Sequence, residues 1–530
     1  MIHVIVLWCL LIVVNLAIRP LMPIDETRYV GVAWEMWTRG DFWVPYLNGD
    51  TYSHKPPLLF WLMQLSWSLF GVNEWTARLI SPLFALGSTL LSGCVAQKLW
   101  PQRPSIAKNT PFILLGFSFW LIYSTLTMFD MLLAFFVLLA IYSLISLAQK
   151  ATWQPLFLLG VAIGGGVLSK GPVVLLHILP VALFAPWWRQ TSFDTFHWRS
   201  WYIKIVIAIF IGAAIALTWA IPAGISGGED YRHAIFLGQT SGRLVESFAH
   251  KLPFWWYVVR LPLLLLPWLL FAPFWQGLRQ LSLSDHGIRF CIAWIVPVFI
   301  AFSFVSGKRI HYLLPLMPAL ALLLGRVADD IHDVASWKRA FLMVWRGICV
   351  VLFLLASVII VNAQTHWFVV EFNAWWLMGV ALLISIGLLV VNTSTIKQMI
   401  QISCLISIII PSALAITYLE INASRFDTKP IAQMMAQLRQ ENKNVAFYTG
   451  KYHDQFQFTG RLIEPLTLLR SPDALKNWIE QNKEGVVLVD SEKAPASVLF
   501  YSHPYRAGQL GFIASQTLIE QPQLIELLPR

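Results

Sequence analysis

The chain has 530 residues, of which 57% are hydrophobic and only 12% are charged. A soluble domain is roughly 45–50% apolar and about 25% charged, so this composition argues against a soluble protein and indicates a polytopic membrane protein. The formal charge of +10 is first explained by basic inward-facing loops, which removes the main argument for nucleic-acid binding. The five cysteines lie in apolar segments, and we expect no disulfides.

Apolar runs long enough to cross a bilayer recur along the first 418 residues. The run from Ile2 to Ile18 lacks a basic n-region and an A-x-A cleavage site, so we interpret it as a retained first helix. The run from Pro57 to Phe70 is either an extra short span or an interfacial helix. Hydropathy and breaker residues predict about thirteen spans, at residues 2–19, 79–99, 109–126, 129–148, 154–169, 171–188, 203–222, 258–277, 290–306, 310–326, 340–362, 372–392 and 397–418.

The orientation follows from the distribution of bases, which collect in loops that face the cytoplasm. If the N-terminus is cytoplasmic, the inner loops hold fourteen bases against five acids. The bases are Lys98, Arg103, Lys108, Lys150, Arg189, Arg199, Lys204, Arg279, Arg289, Arg326, Lys338, Arg339, Arg346 and Lys397, and the acids are Asp194, Asp285, Asp329, Asp330 and Asp333. An odd number of spans then places the chain after residue 418 on the outer face.

The composition changes near the C-terminus, where apolar runs give way to amphipathic elements. From Arg425 onward the pattern predicts a helix at 430–440, a strand at 445–448, a helix at 472–482 and a strand at 486–489. We therefore predict a small soluble α/β domain over residues 419–530. It follows a transmembrane domain over residues 1–418, whose large first outer loop covers residues 20–78.

Charged side chains are frequent in the loops predicted on the outer face, although the orientation rule disfavours bases there. The first loop carries Arg28, Arg39, Lys55 and Arg78, and Asp130 begins a span in "TMFDMLLAFF". Two further outer segments, "GQTSGRLVESFAHKLPFWWY" and "SGKRIHYLLP", supply Arg243, Glu246, His250, Lys251, Lys308, Arg309, His311 and Tyr312. Ionisable groups at membrane depth usually mark a site, so we predict an outward-facing cationic cavity with a few carboxylates.

Basic side chains beside lipid suit a phosphate, because Arg offers a planar fork and Lys a point charge to its oxygens. Pro56 and Pro57 favour a helix start, which predicts the ammonium of Lys55 in the first turn of an apolar interfacial helix. Lys55 is thus a candidate ligand for a lipid-linked phosphate.

The charged residues predicted on the outer face also have simpler interpretations. A loop of about 59 residues is near the length at which charge stops controlling topology, and interfacial helices carry bases without any further role. Asp25 is alternatively a helix N-cap. Lys170, in "LSKGP", is alternatively a lysine that extends its ammonium to the membrane interface.

The combination of motifs resembles a known family. Asp25-Glu26-Thr27-Arg28-Tyr29 after the first span, His54-Lys55-Pro56-Pro57, "HKLPFWWY" and "GKRIHYLLPLMPALALL" are similar to the 4-amino-4-deoxy-L-arabinose transferases. These are lipid A-modifying enzymes related to protein O-mannosyltransferases, in the GT-C class of membrane glycosyltransferases. The resemblance extends over essentially the whole chain.

The resemblance implies a bacterial inner-membrane enzyme that moves a sugar, with inversion, from undecaprenyl phosphate to a lipid A phosphate or another periplasmic acceptor. It implies that Asp25 and Asp130 are active-site carboxylates, with Glu26 as a further acid. Lys55 would hold the donor phosphate. The other residues assigned to that phosphate are Arg28, Tyr29, Arg243, Lys251, Lys308 and Tyr312.

The chain departs from the family pattern at His54, where relatives commonly carry Glu. A histidine retains the capacity to bind a metal ion, and a divalent ion bridging His54 and His250 is one interpretation. Hydrogen bonding at the interface is the other. We expect that no cofactor is required.

Two alternative functions fit the same outer cluster of charges. One is an O-mannosyltransferase-like transfer to a hydroxyl acceptor, in which Asp25 would be the general base. The other is a transporter or flippase of a lipid-linked sugar. Short, basic inner loops disfavour the second, because alternating access needs an inner vestibule as well.

Overall fold

The computed structural model describes residues 1–150, 152–189, 196–238, 252–365, 375–391, 393–491 and 495–528. The chain divides into two compact units. Unit 1 comprises Met1–Ala17, Ser53–Leu59 and Arg78–Thr417, and unit 2 comprises Ile18–Tyr52, Phe60–Ala77 and Tyr418–Arg530. The predicted division of the chain at residue 418 stays a prediction.

Unit 1 is built from helices. Its α-helices are Ile2–Ile18, Glu74–Leu99, Pro104–Gly116, Ser118–Ser124, Phe129–Gln149, Trp153–Lys170, Val173–Leu183, Ala185–Trp188, Trp198–Ser226, Gly228–His233, Trp256–Leu264, Ala272–Arg279, His286–Phe304, Met317–Asp330, Val334–Thr365, Trp375–Val390 and Ile396–Phe426. Shorter turns of other helix types cover Ala234–Gly238, Trp268–Leu270 and Ile310–Leu316. The end residues of some of these helices belong to unit 2.

Seven helices in the described part of the chain are long and apolar enough to cross a membrane, or eight if one bent pair counts as a span. Shorter apolar helices include Ile2–Ile18, Val173–Leu183 and Trp375–Val390. The helix Leu58–Phe70 has 13 residues and is therefore only about 20 Å long, too short for a hydrocarbon core of about 30 Å. The multi-pass membrane fold is confirmed, and the count of thirteen spans stays a prediction.

Two predicted spans are wrong as continuous helices. The span at 109–126 bends by 70° between Gly116 and Ser118, where the N–H of Ser118 donates to the carbonyl of Leu266 at 3.0 Å rather than within a helix. The span at 258–277 is three short helices, Trp256–Leu264, Trp268–Leu270 and Ala272–Arg279. Pro267 lies in the first break, directly before Trp268–Leu270, and Pro273 lies in the first turn of Ala272–Arg279. Proline removes a backbone donor and clashes with the preceding turn, so neither residue can continue the helix before it.

Close packing of two long helices in unit 1 depends on glycine. A Cβ atom on Gly160 or Gly164 of helix Trp153–Lys170 would lie 2.5 Å and 2.7 Å from the side chains of Ile211 and Ile215. A Cβ on Gly212 would in turn lie 2.5 Å from Ile163. The G-x-x-x-G spacing on one helix is typical of membrane helices whose backbones approach closely, and it aligns helix Trp153–Lys170 with helix Trp198–Ser226.

Unit 2 contains five described strands in one sheet with the order β4-β3-β5-β7-β6. These strands are β3 Val445–Tyr448, β4 Thr467–Leu469, β5 Val486–Asp490, β6 Tyr501–Tyr505 and β7 Gly508–Ala514. β3 pairs in parallel with β4 and β5, and β7 pairs antiparallel with β5 and β6. The predicted elements are confirmed, as helix Lys429–Gln440, β3, helix Pro472–Gln481 and β5.

Helices cover both faces of this sheet, as its alternating side chains require. Phe447 packs with helix Lys429–Gln440 in one core, whereas Tyr448 packs with helix Pro472–Gln481 in the other. The remaining elements of residues 418–530 are the helices Ser515–Glu520 and Gln523–Leu527 and the turn Ala496–Val498.

The first loop supplies the rest of unit 2. Its elements are helix Asp25–Arg39, a two-residue hairpin of β1 Tyr46–Leu47 and β2 Asp50–Thr51, and most of helix Leu58–Phe70. Trp34 donates its indole N–H to the carbonyl of Leu462 at 2.8 Å. The ring of Trp67 stacks on Phe458 at 5.4 Å. Through these contacts the first-loop helices pack against the chain after residue 418 within unit 2.

Candidate active site

A buried ion pair lies at the end of two packed helices in unit 1. Asp130 is the second residue of helix Phe129–Gln149, and Lys170 is the last residue of helix Trp153–Lys170. The ammonium of Lys170 lies 2.5 Å from Oδ1 of Asp130, and their side chains are 12% and 4% exposed. The helix dipoles favour both charges, since the carboxylate is at an N-terminus and the ammonium at a C-terminus.

Further predicted site residues surround this pair. The Nζ atom of Lys170 lies 4.7 Å from the ring centroid of Tyr312. Lys55 and His311 lie close enough for their charges to act on the carboxylate of Asp130. The Nζ atom of Lys55 is 5.6 Å from the ring centroid of Phe129. The structure therefore brings Lys55, Asp130 and Tyr312 together, and it adds Lys170 and His311 to them.

The position of Lys55 corrects one detail of the sequence prediction. The helix begins at Leu58, so Lys55 precedes the first turn instead of lying in it. The cause is Pro56-Pro57, because a residue before proline is disfavoured in the helical conformation. The ammonium is thereby carried by a bend that belongs to unit 1.

Charges at the other end of unit 1 come from loops predicted on the inner face. Arg326 donates to Asp285 at 2.7 Å, and Arg103 donates to Asp329 and Asp330 at 3.0 and 2.6 Å. His311 and Asp330 lie at opposite ends of the segment Ile310–Asp330. Predicted outer and inner groups are thus separated by the length of one span.

Lys308 is buried and has backbone partners. Its Nζ atom donates to the carbonyls of Leu252 at 2.9 Å and Val305 at 2.5 Å. These bonds use two of the three protons of the ammonium. The contacts favour a structural role for Lys308, and its assignment to the donor phosphate remains a prediction.

Unit 2 holds the second group of predicted site residues, on helix Asp25–Arg39. Asp25 is its first residue, and Ile24 occupies the N-cap position. The carboxylate of Asp25 is half-exposed and pairs with the guanidinium of Arg28, which lies 5.2 Å from the ring centroid of Tyr29. The N-cap interpretation of Asp25 is therefore wrong, and its carboxylate instead pairs with Arg28 one turn further along the same helix.

Glu26 has a different environment from Asp25. Its carboxylate accepts two bonds from Arg19, at 2.8 and 3.2 Å, and one from the backbone N–H of Met22 at 3.0 Å. The residue is 2% exposed. These bonds fix the chain where the first helix ends, so they favour a structural role, and the catalytic role of Glu26 remains a prediction.

Several predicted residues lie outside the described residues, namely Arg243, His250 and Lys251. His54 is exposed. Within the described ranges there is no group of three or more His, Cys, Asp or Glu side chains placed to hold a metal ion. A metal bridge between His54 and His250 therefore stays an untested hypothesis.

The structure adds one residue that the sequence analysis missed. His453 lies in the loop after β3, and the charges of Arg28 and Asp25 act on its imidazole. The signal in the sequence is "KYHD", which follows the strand predicted at 445–448 after two residues, since sites in α/β sheets form at the carboxyl ends of strands.

The sequence is similar to proteins of known name. A family described as dolichyl-phosphate-mannose-protein mannosyltransferase matches residues 54–219. An undecaprenyl phosphate-alpha-4-amino-4-deoxy-L-arabinose arabinosyl transferase from Serratia proteamaculans is 30% identical over 347 residues, which are 61% of this chain and 59% of that protein. A second protein so named, from Pseudomonas fluorescens, is 30% identical over 324 residues, 58% of this chain and 55% of the relative. The similarity thus covers less than two thirds of these relatives.

Two solved structures share the fold over nearly the whole chain. ArnT from Cupriavidus metallidurans bound to undecaprenyl phosphate superposes with a TM-score of 0.77 at 19% identity, covering 97% of this chain and 96% of that chain. The same protein in the apo state gives a TM-score of 0.76. The predicted GT-C-type membrane fold with a small C-terminal sheet domain is confirmed.

Proposed function

We propose that this chain belongs to the 4-amino-4-deoxy-L-arabinose transferase family and is an inverting membrane glycosyltransferase. Its donor is a sugar on undecaprenyl phosphate, with 4-amino-4-deoxy-L-arabinose as the first sugar to test. Its acceptor is a lipid A phosphate or another periplasmic group. The names of the relatives support the donor and the sugar.

The observation that carries this proposal is the cluster around Asp130 in unit 1. A buried carboxylate is held by Lys170 at 2.5 Å, and Lys55 and His311 add positive charge beside it. Charges removed from water in this way are costly, so they usually mark a site. Cations suit the phosphate of the donor, and a carboxylate suits the sugar.

The reaction needs both kinds of charge. An acceptor oxygen attacks C1 of the sugar from the face opposite the leaving group, which inverts the anomeric centre. The C1–O bond to undecaprenyl phosphate breaks, and its electron pair leaves with the phosphate. The ring becomes oxocarbenium-like while the leaving phosphate gains charge. In this proposal Lys55, with Tyr312 nearby, stabilises the leaving phosphate, and Asp130 stabilises the ring.

The role proposed for Asp25 depends on the acceptor. A phosphate oxygen is already anionic at neutral pH, so it attacks without a general base and Asp25 orients a substrate. A hydroxyl acceptor must lose a proton, and Asp25 is then the base. The match to the mannosyltransferase family favours keeping the hydroxyl acceptor as the second candidate.

A transfer assay in detergent tests the proposal, because detergent leaves no second compartment for a transporter to use. Purified enzyme, labelled undecaprenyl-phosphoryl sugar and lipid A should give labelled lipid A. Lys55→Ala should lower kcat by about 10²–10³-fold, the usual loss for one preorganised electrostatic contact. Lys55→Arg should retain more activity, and the exposed Lys483→Ala is the matched control. Equal rates for wild type and Lys55→Ala would refute the phosphate assignment.

The acceptor class is decided by Asp25→Asn. For a phosphate acceptor the variant should keep measurable transfer, whereas for a serine peptide it should lose it. If correctly folded wild-type protein transfers no sugar but moves the donor across a vesicle membrane, the flippase alternative is favoured.

We propose that the reaction requires no metal, since lysine and arginine can neutralise the phosphate charge. Treatment with a chelator should leave the transfer rate unchanged. If the chelator lowers the transfer rate, if Mn²⁺ or Mg²⁺ restores that rate, and if His54→Ala prevents the restoration, the metal hypothesis for His54 and His250 is supported instead.

A further inference from the structure

The chain after residue 418 packs against the first-loop helix at a glycine. A Cβ atom on Gly31 would lie 2.9 Å from both Cβ and the carbonyl oxygen of Asp454. Asp454 adopts a positive φ of 53°, and its Oδ2 accepts the backbone N–H of Asn48 at 3.1 Å. The loop that carries Asp454 is therefore held directly on helix Asp25–Arg39.

This contact brings the neighbouring residue His453 to the face that carries Asp25 and Arg28. Residues three apart on a helix share a face, so Asp25, Arg28 and Gly31 form one row. The loop rests on Gly31, and the charges of Arg28 and Asp25 act on the His453 imidazole, which is half-buried.

Two more cations, Lys451 and Arg506, lie near His453. Lys451 lies two residues before it, and Arg506 lies in the turn between β6 and β7. Tyr505 packs on Phe456 with ring centroids 6.4 Å apart, which places that turn beside the loop. The charges of Lys451 and Arg506 both act on the His453 imidazole.

The guanidinium of Arg28 also has unused hydrogen-bonding capacity. Its Nε atom is buried and has no hydrogen-bond partner among the described residues. A buried N–H that lacks a partner is unfavourable. Three cations and one carboxylate act on the His453 imidazole, which leaves an excess of positive charge that an anion would balance.

We propose that Arg28, Lys451, His453 and Arg506 form a subsite of unit 2 that binds the phosphate of the acceptor beside Asp25. The inference rests on the proposed function, and it deepens that function by naming the residues that receive a phosphorylated acceptor. It gives Arg28 to the acceptor phosphate, in place of the donor phosphate to which the resemblance assigns this residue. It gives the C-terminal α/β segment a direct part in substrate binding.

The ionisation of His453 gives the subsite a pH signature. Burial lowers the pKa of His453, and the positive charges of Arg28, Lys451 and Arg506 lower it further, against the opposite effect of Asp25. The empty subsite therefore holds a neutral imidazole at pH 7. A bound phosphate favours the imidazolium, so acceptor binding takes up a proton and should strengthen as the pH falls from 8 towards 7.

Acceptor kinetics at saturating donor test the proposal with the full-length enzyme. Lys451→Ala and Arg506→Ala should each raise the KM for lipid A about tenfold, the loss expected for one charge-assisted contact. Their kcat and their KM for the donor should stay near the wild-type values. The exposed Lys476→Ala, in the same α/β segment, should change none of these constants.

His453→Gln separates positioning from folding. It should remove the strengthening of acceptor binding between pH 8 and 7, while Lys476→Ala should keep it. Changes in kcat alone, or in the KM for the donor alone, would overturn the proposal, as would an unchanged KM for lipid A in all three subsite variants.

A binding assay distinguishes failure of the subsite from failure of the proposed function. Without any donor, the enzyme in nanodiscs should bind lipid A that carries its phosphates about tenfold more tightly than dephosphorylated lipid A. Lys451→Ala should reduce that difference. If wild type transfers sugar to lipid A but shows no such preference, the subsite is wrong and the function stands. If the preference is present without transfer, the subsite stands and the function is wrong.

Discussion

The ion pair between Asp130 and Lys170 separates stability from activity at the scale of single residues. Lys170→Met leaves a buried carboxylate without its partner, which should lower the free energy of unfolding by about 3–5 kcal/mol. The double variant with Asp130→Asn removes both charges, so its thermal midpoint in detergent should return close to the wild-type value. Its transfer rate should stay low, because the charges that act on the substrate are gone.

The control for this pair is Glu229→Gln, which breaks the exposed pair with Arg232 and should change the thermal midpoint very little. A double variant that regained both stability and activity would show that Asp130 and Lys170 serve the fold only.

Asp454 makes the stability of unit 2 depend on pH. Burial and the nearby charge of Glu35 raise the pKa of Asp454 well above its usual 3.8, although the N–H of Asn48 opposes this. A raised carboxyl pKa in the folded state means that stability is fully present below pH 3.8 and is lost progressively as the pH rises through the folded pKa. Oδ1 of Asp454 is buried and unpartnered within the described ranges.

Asp454→Asn should therefore raise the thermal midpoint at pH 8 and flatten its dependence on pH between 4 and 8. Asparagine retains an acceptor for the N–H of Asn48 and tolerates the positive φ. The midpoint is measured by thermal unfolding of the full chain in detergent. A lower midpoint for the variant at pH 8 would show that the ionised carboxylate is stabilising.

At the scale of elements, the close approach of helices Trp153–Lys170 and Trp198–Ser226 depends on small residues. Gly164→Val would place methyl groups where even a Cβ lies 2.7 Å from Ile215. Overpacking of this kind typically lowers stability by about 1–3 kcal/mol. We expect a lower thermal midpoint and a lower transfer rate, because Lys170 is on the same helix six residues later.

The matched control is Gly379→Val, on helix Trp375–Val390, where a Cβ meets nothing within 4 Å. It should unfold at or slightly above the wild-type temperature, since valine is a better helix former than glycine. Equal losses in the two variants would show that the substitution itself, and not the helix contact, is responsible.

At the scale of the whole molecule, the separation of charges predicts one orientation in the membrane. From the bases of the predicted inner loops we expect the N-terminus in the cytoplasm and the chain after residue 418 in the periplasm. A phosphatase fused after residue 530 should be active, and a phosphatase fused at residue 335, next to Lys338, should be inactive. Fluorescence from a green fluorescent protein fused after residue 530 would contradict this orientation, since that protein does not mature in the periplasm after export through the general secretory route.

Local patterns in the sequence were sufficient for the class of fold and for much of the secondary structure. Long apolar runs have few alternatives to membrane helices, because backbone polar groups must be satisfied internally in lipid. Short continuous apolar runs likewise predicted β3 and β5, since each strand must fill cores on both faces of the sheet. The motif around Asp25, together with His54-Lys55-Pro56-Pro57, carries the resemblance to the 4-amino-4-deoxy-L-arabinose transferases.

The tertiary structure decided which charges meet. Asp130 and Lys170 are 40 positions apart, and Gly31 contacts Asp454 across the chain, so spacing in the sequence could not predict either contact. The tertiary structure also pairs Glu26 with Arg19. The predicted span at 258–277 is divided into three short helices, because prolines interrupt a segment that is apolar enough to be one helix. Local periodicity determines which elements form, whereas the partner of a buried charge is chosen by packing between segments far apart in sequence.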